Sequence, residues 1–273
     1  MKVLSSAHVH TTYCDGKTPA PLMARAALEK GFVSLGFSSH APQRFDPGYC
    51  VAPEKEEDYK KEILSLREQY KEKMAVYLGI ERDYFSCVSP DAYDYFIASV
   101  HYFLKPDGHH TAIDGHPEDL KSYVDDFCRG SGLRMAEAYF SMLRDYVLSS
   151  HPQIIGHFDL IRKNNASLHL YDEASKAYQA LALDALRDIS GSGALLEVNT
   201  GAMARGYLTS PYPDAFLLSA WREWGGDVII NSDCHDVRFL DAYFDEAEQL
   251  LSSLGYRWAV RLGKDQMWEH FPL

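Results

Sequence analysis

The chain contains no Cys-x-x-Cys pair. Its five cysteines, Cys14, Cys50, Cys87, Cys128 and Cys234, are odd in number and irregularly spaced, which argues against a disulfide framework or a zinc ribbon. No Gly-x-Gly-x-x-Gly or P-loop signature follows any strand pattern, so nucleotide-binding open sheets lose weight. No stretch approaches ~18 consecutive apolar residues, and no membrane span is expected. The first ten residues lack the apolar centre of a secretory signal, and a reducing cytoplasm is the expected location. Basic residues are scarce: 27 Lys and Arg stand against 39 Asp and Glu, for a net charge of −12. That balance does not suit binding along a phosphate backbone, so no nucleic-acid partner is expected. It suits a metal enzyme, because cations offset local carboxylates.

What remains is ordinary globular material. Apolar residues make up 46% of the 273 positions and aromatics 13%, which excludes disorder as the main state. Short apolar runs at residues 3–7, 34–38, 75–80, 96–100, 154–156, 194–198 and 228–230 read as strands. Amphipathic patterns at 21–30, 54–73, 117–149, 172–190, 213–224 and 240–253 read as helices, the third breaking at Gly130–Gly132. Alternation of this kind predicts a parallel sheet with helical crossovers, either an open doubly wound sheet or a closed barrel. Residues 102–117 read as a polar loop of lid-like length. No repeat, low-complexity tract or linker divides the chain, so one domain over 1–273 is expected.

The chemistry lies in placement. Strand one runs into His8 and His10, strand two ends at His40 and strand three at Glu81. Strand four ends at His101, strand five at His157, strand six at Asn199, and strand seven at Asp233 followed by His235. A single histidine after an apolar run is usually a hydrogen-bonded core residue, but six strand ends at once are not explained that way. In a parallel barrel these ends converge on one face, where active sites form. His and carboxylate donors suit zinc, manganese or iron. His8 and His10, like Asp233 and His235, are two apart and share a side of an extended chain. Asp15, in a Cys-Asp-Gly turn signature, lies close enough to join them. Glu197 is placed to support the site. Clustered metals perform displacement at phosphorus, and Arg162 and Arg205, each following a strand end, are candidates to fork a phosphate, with Arg82 a weaker third. His109, His110 and His116 belong to the polar loop rather than to the ligand set.

The ordered motifs HVHTTYCDG, SSH at 38–40, GIE at 79–81, SVH at 99–101, GHFD at 156–159 and SDCH at 232–235 resemble those of the polymerase-and-histidinol-phosphatase (PHP) superfamily. The SVHYF and HFDLIRK segments look most like its monofunctional histidinol-phosphate phosphatase branch. The resemblance implies an α/β fold, a distorted (β/α)7 TIM-like barrel, with three divalent ions. The first ion would take His8, His10, Glu81 and Asp233, the second Glu81, His101 and His157, the third Asp15, His40 and His235. Some members carry His where this chain has Asp15, and an oxygen donor there favours harder metals. Arg162 and Arg205 would hold the phosphate. Tyr102, residues 107–114 and Phe158 would line the imidazole end. The implied activity is release of phosphate from L-histidinol phosphate, a step of histidine biosynthesis, by a metal-activated hydroxide. The alternatives are another small phosphate ester, such as a nucleotide or oligonucleotide, on the same scaffold, or a metal-binding domain without catalysis.

Overall fold

The computed structural model describes residues 4–273, so the first residue of the opening strand pattern lies outside the described residues. The chain begins with β1 (Ser5–Ser6), α1 (Ala20–Glu29), β2 (Ser34–Phe37), α2 (Glu56–Tyr70), β3 (Ala75–Asp83) and β4 (Tyr95–Ser99). A hairpin of β5 (Tyr102–Leu104) and β6 (His110–Ala112) follows, then α3 (Pro117–Phe127), α4 (Gly132–Ser150), β7 (Ile154–Ile155), α5 (Arg162–Leu168) and α6 (Lys176–Ile189). The last part holds β8 (Leu195–Asn199), α7 (Gly201–Ala204), α8 (Ala215–Glu223), β9 (Val228–Asn231), α9 (Phe244–Ser253), β10 (Trp258–Leu262) and β11 (Trp268–Pro272).

Seven parallel strands stand in the order β1-β2-β3-β4-β7-β8-β9. Every adjacent pair in that series is parallel. Beyond β1 and β9 the chain continues to a further parallel bridge, Val9 with Cys234. There His10 N donates to Cys234 O at 2.9 Å and Cys234 N to His8 O at 3.2 Å. This seam returns the series to its start, at the carboxyl ends of the strands. At the amino end β10 fills the space instead. It pairs with β9 through Val260 and Ile229, while Ser34 Oγ of β2 donates to Leu262 O. That insertion, capped by antiparallel β11, distorts the barrel.

Two apolar cores result. A large one, from Val9 to Phe271, lies between the sheet and the helices. A small one, Ala7, Tyr95, Ile97, Ile154, Ile229 and Leu262, fills the amino half of the barrel. Tyr95 occupies its centre and donates to Ala7 O. Gly36 and Gly79 flank its ring, and a Cβ at either position would collide with it. Above this plug the inward positions turn polar, two residues at a time along each strand.

All seven expected strands are present. The 117–149 pattern breaks where Arg129 and Gly130 take left-handed conformations, and Ser131 caps the second helix through Arg134 N. The 172–190 helix starts later, at Lys176, because Asp172 forms a turn and Ser175 is the cap. The segment expected as a loop at 102–117 contains the β5–β6 hairpin, paired from Tyr102–Ala112 to Leu104–His110. The short helices α5 and α7 carry too few residues for a periodic signal. Among the described residues no helix is long and apolar enough to cross a membrane.

Candidate metal centre

The carboxyl ends of the strands hold a dense set of buried donors. His8 and His10 follow β1, and Glu81 lies within β3, with 0, 0 and 1% of their surfaces exposed. Asp233, two residues past β9, adopts a left-handed φ of 47°, a conformation Asp tolerates better than most residues. It directs Oδ1 to 3.6 Å from His8 Nε2 and 3.2 Å from His10 Nε2. Glu81 Oε2 stands 3.2 Å from His8 Nε2, 3.5 Å from His10 Nε2 and 2.8 Å from His40 Nδ1. Its Oε1 faces His157 Nε2 at 2.9 Å and His101 Nε2 at 3.4 Å. Asp15 meets His235 Nε2 at 3.1 Å and His40 Nε2 at 3.7 Å. All nine expected donors are therefore in one cluster.

The cluster fits bound cations on its own chemistry. Nε2 of His8, His10 and His40, Oδ1 of Asp15 and Oε2 of Glu81 are buried without a hydrogen-bond partner, a costly arrangement for polar atoms. Two donors ~2.0–2.1 Å from a tetrahedral ion lie roughly 3.3 Å apart, close to the spacings here. Donor atoms near enough to share an ion form three groups: His8, His10 and Asp233; His40, Glu81 and His101; and His10, Asp15, His40 and His235. The grouping differs from the expected partition: His10 and His40 each face two groups, Glu81 belongs to one group rather than two, and His157 falls in none.

A surrounding shell orients the donors. Glu197, fully buried, accepts from His8 Nδ1 at 2.7 Å, His157 N at 2.8 Å, Asn199 Nδ2 at 2.9 Å and Asn231 Nδ2 at 3.0 Å. With Nδ1 engaged, His8 presents Nε2 to the cluster. Asp83 stands 3.3 Å from His101 Nδ1, and Ser99 Oγ donates to Glu81 Oε1 at 2.7 Å.

Charge in the cluster is strongly organised. Burial pushes the Glu81 carboxyl up, but His40, His8, His101 and His157 together hold it well below its usual range. Asp233 behaves alike, its burial outweighed chiefly by Arg205. Burial, with His235 and His40 nearby, pulls His10 down to about 3. His8 goes the other way: burial lowers it, but Glu197, Glu81 and Asp233 raise it well above the ordinary imidazole value. In His101 burial is overcome by Glu81 and Asp83, raising it to about 9.

A cavity of about 410 Å³ opens over the donors. Arg205 stands at its rim, Nη2 3.0 Å from Asp233 Oδ2 and Nη1 3.1 Å from Asp233 O. Lys17, Lys163 and Asp114 also line it, with Tyr49, Tyr102 and Tyr207 on its aromatic side. Tyr102 donates to Asp46 at 2.9 Å.

Three expected residues, and most of the segment 107–114, are not at the cavity. Arg162 is buried, and its guanidinium is occupied by Glu173, Asp159, Ser210 and Pro211 O. The basic group that reaches the cavity from this segment is the next residue, Lys163, whose Nζ donates to Asp114 O at 2.6 Å. Arg82 is turned away, donating to Val88 O, Ser86 O and Tyr146 OH. Phe158 lies in the helix-side core against Phe140. Of residues 107–114, Ala112 and Asp114 line the cavity while Asp107 is exposed. Sequence reasoning passed over Asp83, Ser99 and Asn231. The signal available was two-residue alternation, which puts Ser99 and Asn231 on the side of His101 and Asp233 after them and Asp83 on the side of Glu81 before it.

The PHP domain family matches residues 6–201. "Probable histidinol-phosphatase" of Deinococcus radiodurans is 28% identical, over 94% of this chain and 96% of its own length. "Histidinol-phosphatase" of Bacillus subtilis is 26% identical, over 84% of this chain and 92% of its own. The fold matches, with a TM-score of 0.71 at 18% identity, the crystal structure of histidinol phosphate phosphatase from Lactococcus lactis complexed with zinc, L-histidinol and phosphate. That match covers 96% of this chain and 97% of that one.

Proposed function

This chain belongs to the PHP domain family, and from that premise we propose that it hydrolyses L-histidinol phosphate to L-histidinol and phosphate, with three divalent ions held at the carboxyl face of the barrel. The observation that carries the reading is the convergence of His8, His10, Asp15, His40, Glu81, His101, His157, Asp233 and His235 beneath a cavity rimmed by Arg205. The length-wide likeness to histidinol-phosphatases supports the choice of substrate. Bound divalent ions would supply Lewis acidity toward the phosphoryl oxygens and lower the pKa of water.

The chain's own groups do the rest. Glu81 and Asp233 stay ionised and so offer anionic oxygens to ions. Glu197 fixes the ring of His8, and Asp83 holds the backbone of His101 by accepting from its N at 2.7 Å. Arg205, held by Asp233 and His235, would turn its remaining N–H groups to the phosphate and offset its charge. A phosphorylated amino alcohol carries a cation and a planar ring beyond the phosphate. Asp114, Tyr49, Tyr102 and Tyr207 in the cavity lining suit them. The net charge of −12 disfavours polymeric nucleic acid.

The test is phosphate release by metal-supplied protein from L-histidinol phosphate, beside a ribonucleotide and an oligonucleotide. Preferential turnover of L-histidinol phosphate, abolished by chelator and restored by metal, is expected. Preference for a nucleotide would overturn the substrate and keep the centre. Stoichiometric metal with no turnover of any ester would overturn catalysis.

A further inference from the structure

The structure assigns to Arg162 the role of a positioning residue: it sets the loop that carries Arg205 and Tyr207, and thereby the phosphate affinity of the centre, without touching phosphate. This inference rests on the phosphoester reading above.

Arg162 opens α5, and its side chain is 5% exposed. Every nitrogen of its guanidinium is engaged. Nε donates to Glu173 Oε2 at 3.0 Å, Nη1 to Pro211 O at 3.1 Å and Asp159 Oδ2 at 3.4 Å, and Nη2 to Ser210 Oγ at 2.9 Å. Asp214 Oδ2 lies 3.4 Å from Nη2. In this fixed fork the Nη1 and Nη2 edge holds residues 210–214 through Pro211 O, Ser210 Oγ and Asp214, while Nε anchors the guanidinium on Glu173. Asp159 completes the grip by accepting from Asp214 N at 2.9 Å. The same segment is stitched to the barrel by Tyr212, whose N and O pair with Asn199.

Between α7 and this anchored stretch runs a short loop. It starts at Arg205, reverses at Gly206 with φ of 75°, and exposes Tyr207. Both Arg205 and Tyr207 line the cavity. On the cavity side Tyr207 rests under Lys163, whose Nζ is 4.7 Å from the ring centroid. Arg162 therefore holds the far end of the loop at Ser210 and Pro211, and Lys163 holds Tyr207 within it. Arg205 reaches Asp233 and His235 from the start of this loop, where its N donates to Gly201 O of α7. The loop is thus pinned at α7 on one side and by Arg162 on the other, and a slip at the Arg162 end shifts Tyr207 and the guanidinium relative to the donors.

The test is a double-substitution cycle read on inorganic phosphate, by calorimetric titration of the metal-supplied protein. Arg162→Lys keeps the charge but cannot span four partners. It is expected to weaken phosphate binding about tenfold, within the range for neighbours sharing one network, with metal content unchanged. In an Arg205→Ala background the same substitution is expected to change phosphate affinity less than about twofold. Ser210→Ala removes a single tie at a partly exposed position, and should weaken phosphate in the same direction and lose its effect in the same background. It decides the matter should Arg162→Lys fail to fold. Multiplying effects in the double variant would mean direct phosphate contact and overturn the assignment. A lowered melting temperature with unchanged phosphate affinity, or no phosphate binding by the unsubstituted protein, would overturn it too. Because the probe is phosphate itself, failure to hydrolyse L-histidinol phosphate would sink the substrate reading and leave this cycle interpretable.

Discussion

Replacing Glu197 by Gln isolates the shell beneath the cluster. The substitution keeps the shape of a fully buried side chain and removes one acceptor. Four donors now share the two oxygens: His8 Nδ1 and Asn231 Nδ2 on one, His157 N and Asn199 Nδ2 on the other. An amide offers one oxygen and one N–H pair, so whichever way it turns, two donors meet a donor. Each buried donor left unsatisfied costs about 1–3 kcal/mol. His8 has one escape, a tautomer that accepts at Nδ1. It would then carry its proton on Nε2, facing Glu81 and Asp233, where it blocks a ligand position. Loss of an outer-shell partner typically weakens metal binding roughly 10- to 100-fold. The expected result is a fall of roughly 5–10 °C in melting temperature with chelator present. Metal affinity and kcat/KM should fall about 10- to 100-fold alongside it. Scanning calorimetry, metal titration and phosphate release measure the three. Unchanged metal affinity in a folded Glu197→Gln protein would refute the claim that Glu197 orients His8.

Asp15→Ala should remove one equivalent of bound metal and spare the rest, because Asp15 touches only His40, His235 and His10; elemental analysis after dialysis decides, and loss of all metal would contradict separable positions. Metal binding near pH 7 should release protons. His101, held up to about 9 by Glu81 and Asp83, is protonated there and must deprotonate to ligate, and the carboxylates around His8 raise it in the same direction. Affinity should then rise with pH up to about 9 and level off, and calorimetry in buffers of different ionisation enthalpy counts the protons; none released at pH 7 would count against a His-rich centre. Gly36→Ala should destabilise the fold by about 1–3 kcal/mol by forcing a methyl against Tyr95 and Leu262, seen as a lower denaturant midpoint, and an unchanged midpoint would mean that the plug has slack.

Much of this was legible in the sequence because strand ends carry their chemistry in place. His40, Glu81, His101 and Asp233 each end an apolar run, and parallel strands bring such ends to one face whatever the helices do. Glu197 was legible two positions before Asn199, and Ser99 and Asn231 sit likewise two before His101 and Asp233, so a strict two-residue reading would have found them as well. Other features depend on contacts that no local pattern encodes. Arg162 and Lys163 are adjacent and both basic, yet one is swallowed by Asp159, three residues before it, and by Glu173 and Asp214 further along the chain, while the other reaches the cavity. The β5–β6 hairpin hid in a polar stretch because its strands have three residues each, too few for alternation to show. β10 and β11 were missed because their role, filling the amino end of an imperfect ring, exists only once the ring is formed.

The seam between Val9 and Cys234 has a consequence for how the molecule assembles. It joins the first strand to the seventh, so it is the pairing with the longest loop to close, and such contacts form late. His8 and His10 flank Val9 on one lip, and Asp233 and His235 flank Cys234 on the other. An ion shared by His8, His10 and Asp233 would span the last gap to close, acting as a clasp on an otherwise short zipper. The amides of His10 and Cys234, which form the seam's two hydrogen bonds, are where hydrogen exchange should report the clasp opening. Their protection should collapse on chelation while the amides of β3 and β4 remain slow, so the early and late parts of the barrel separate in a single exchange experiment.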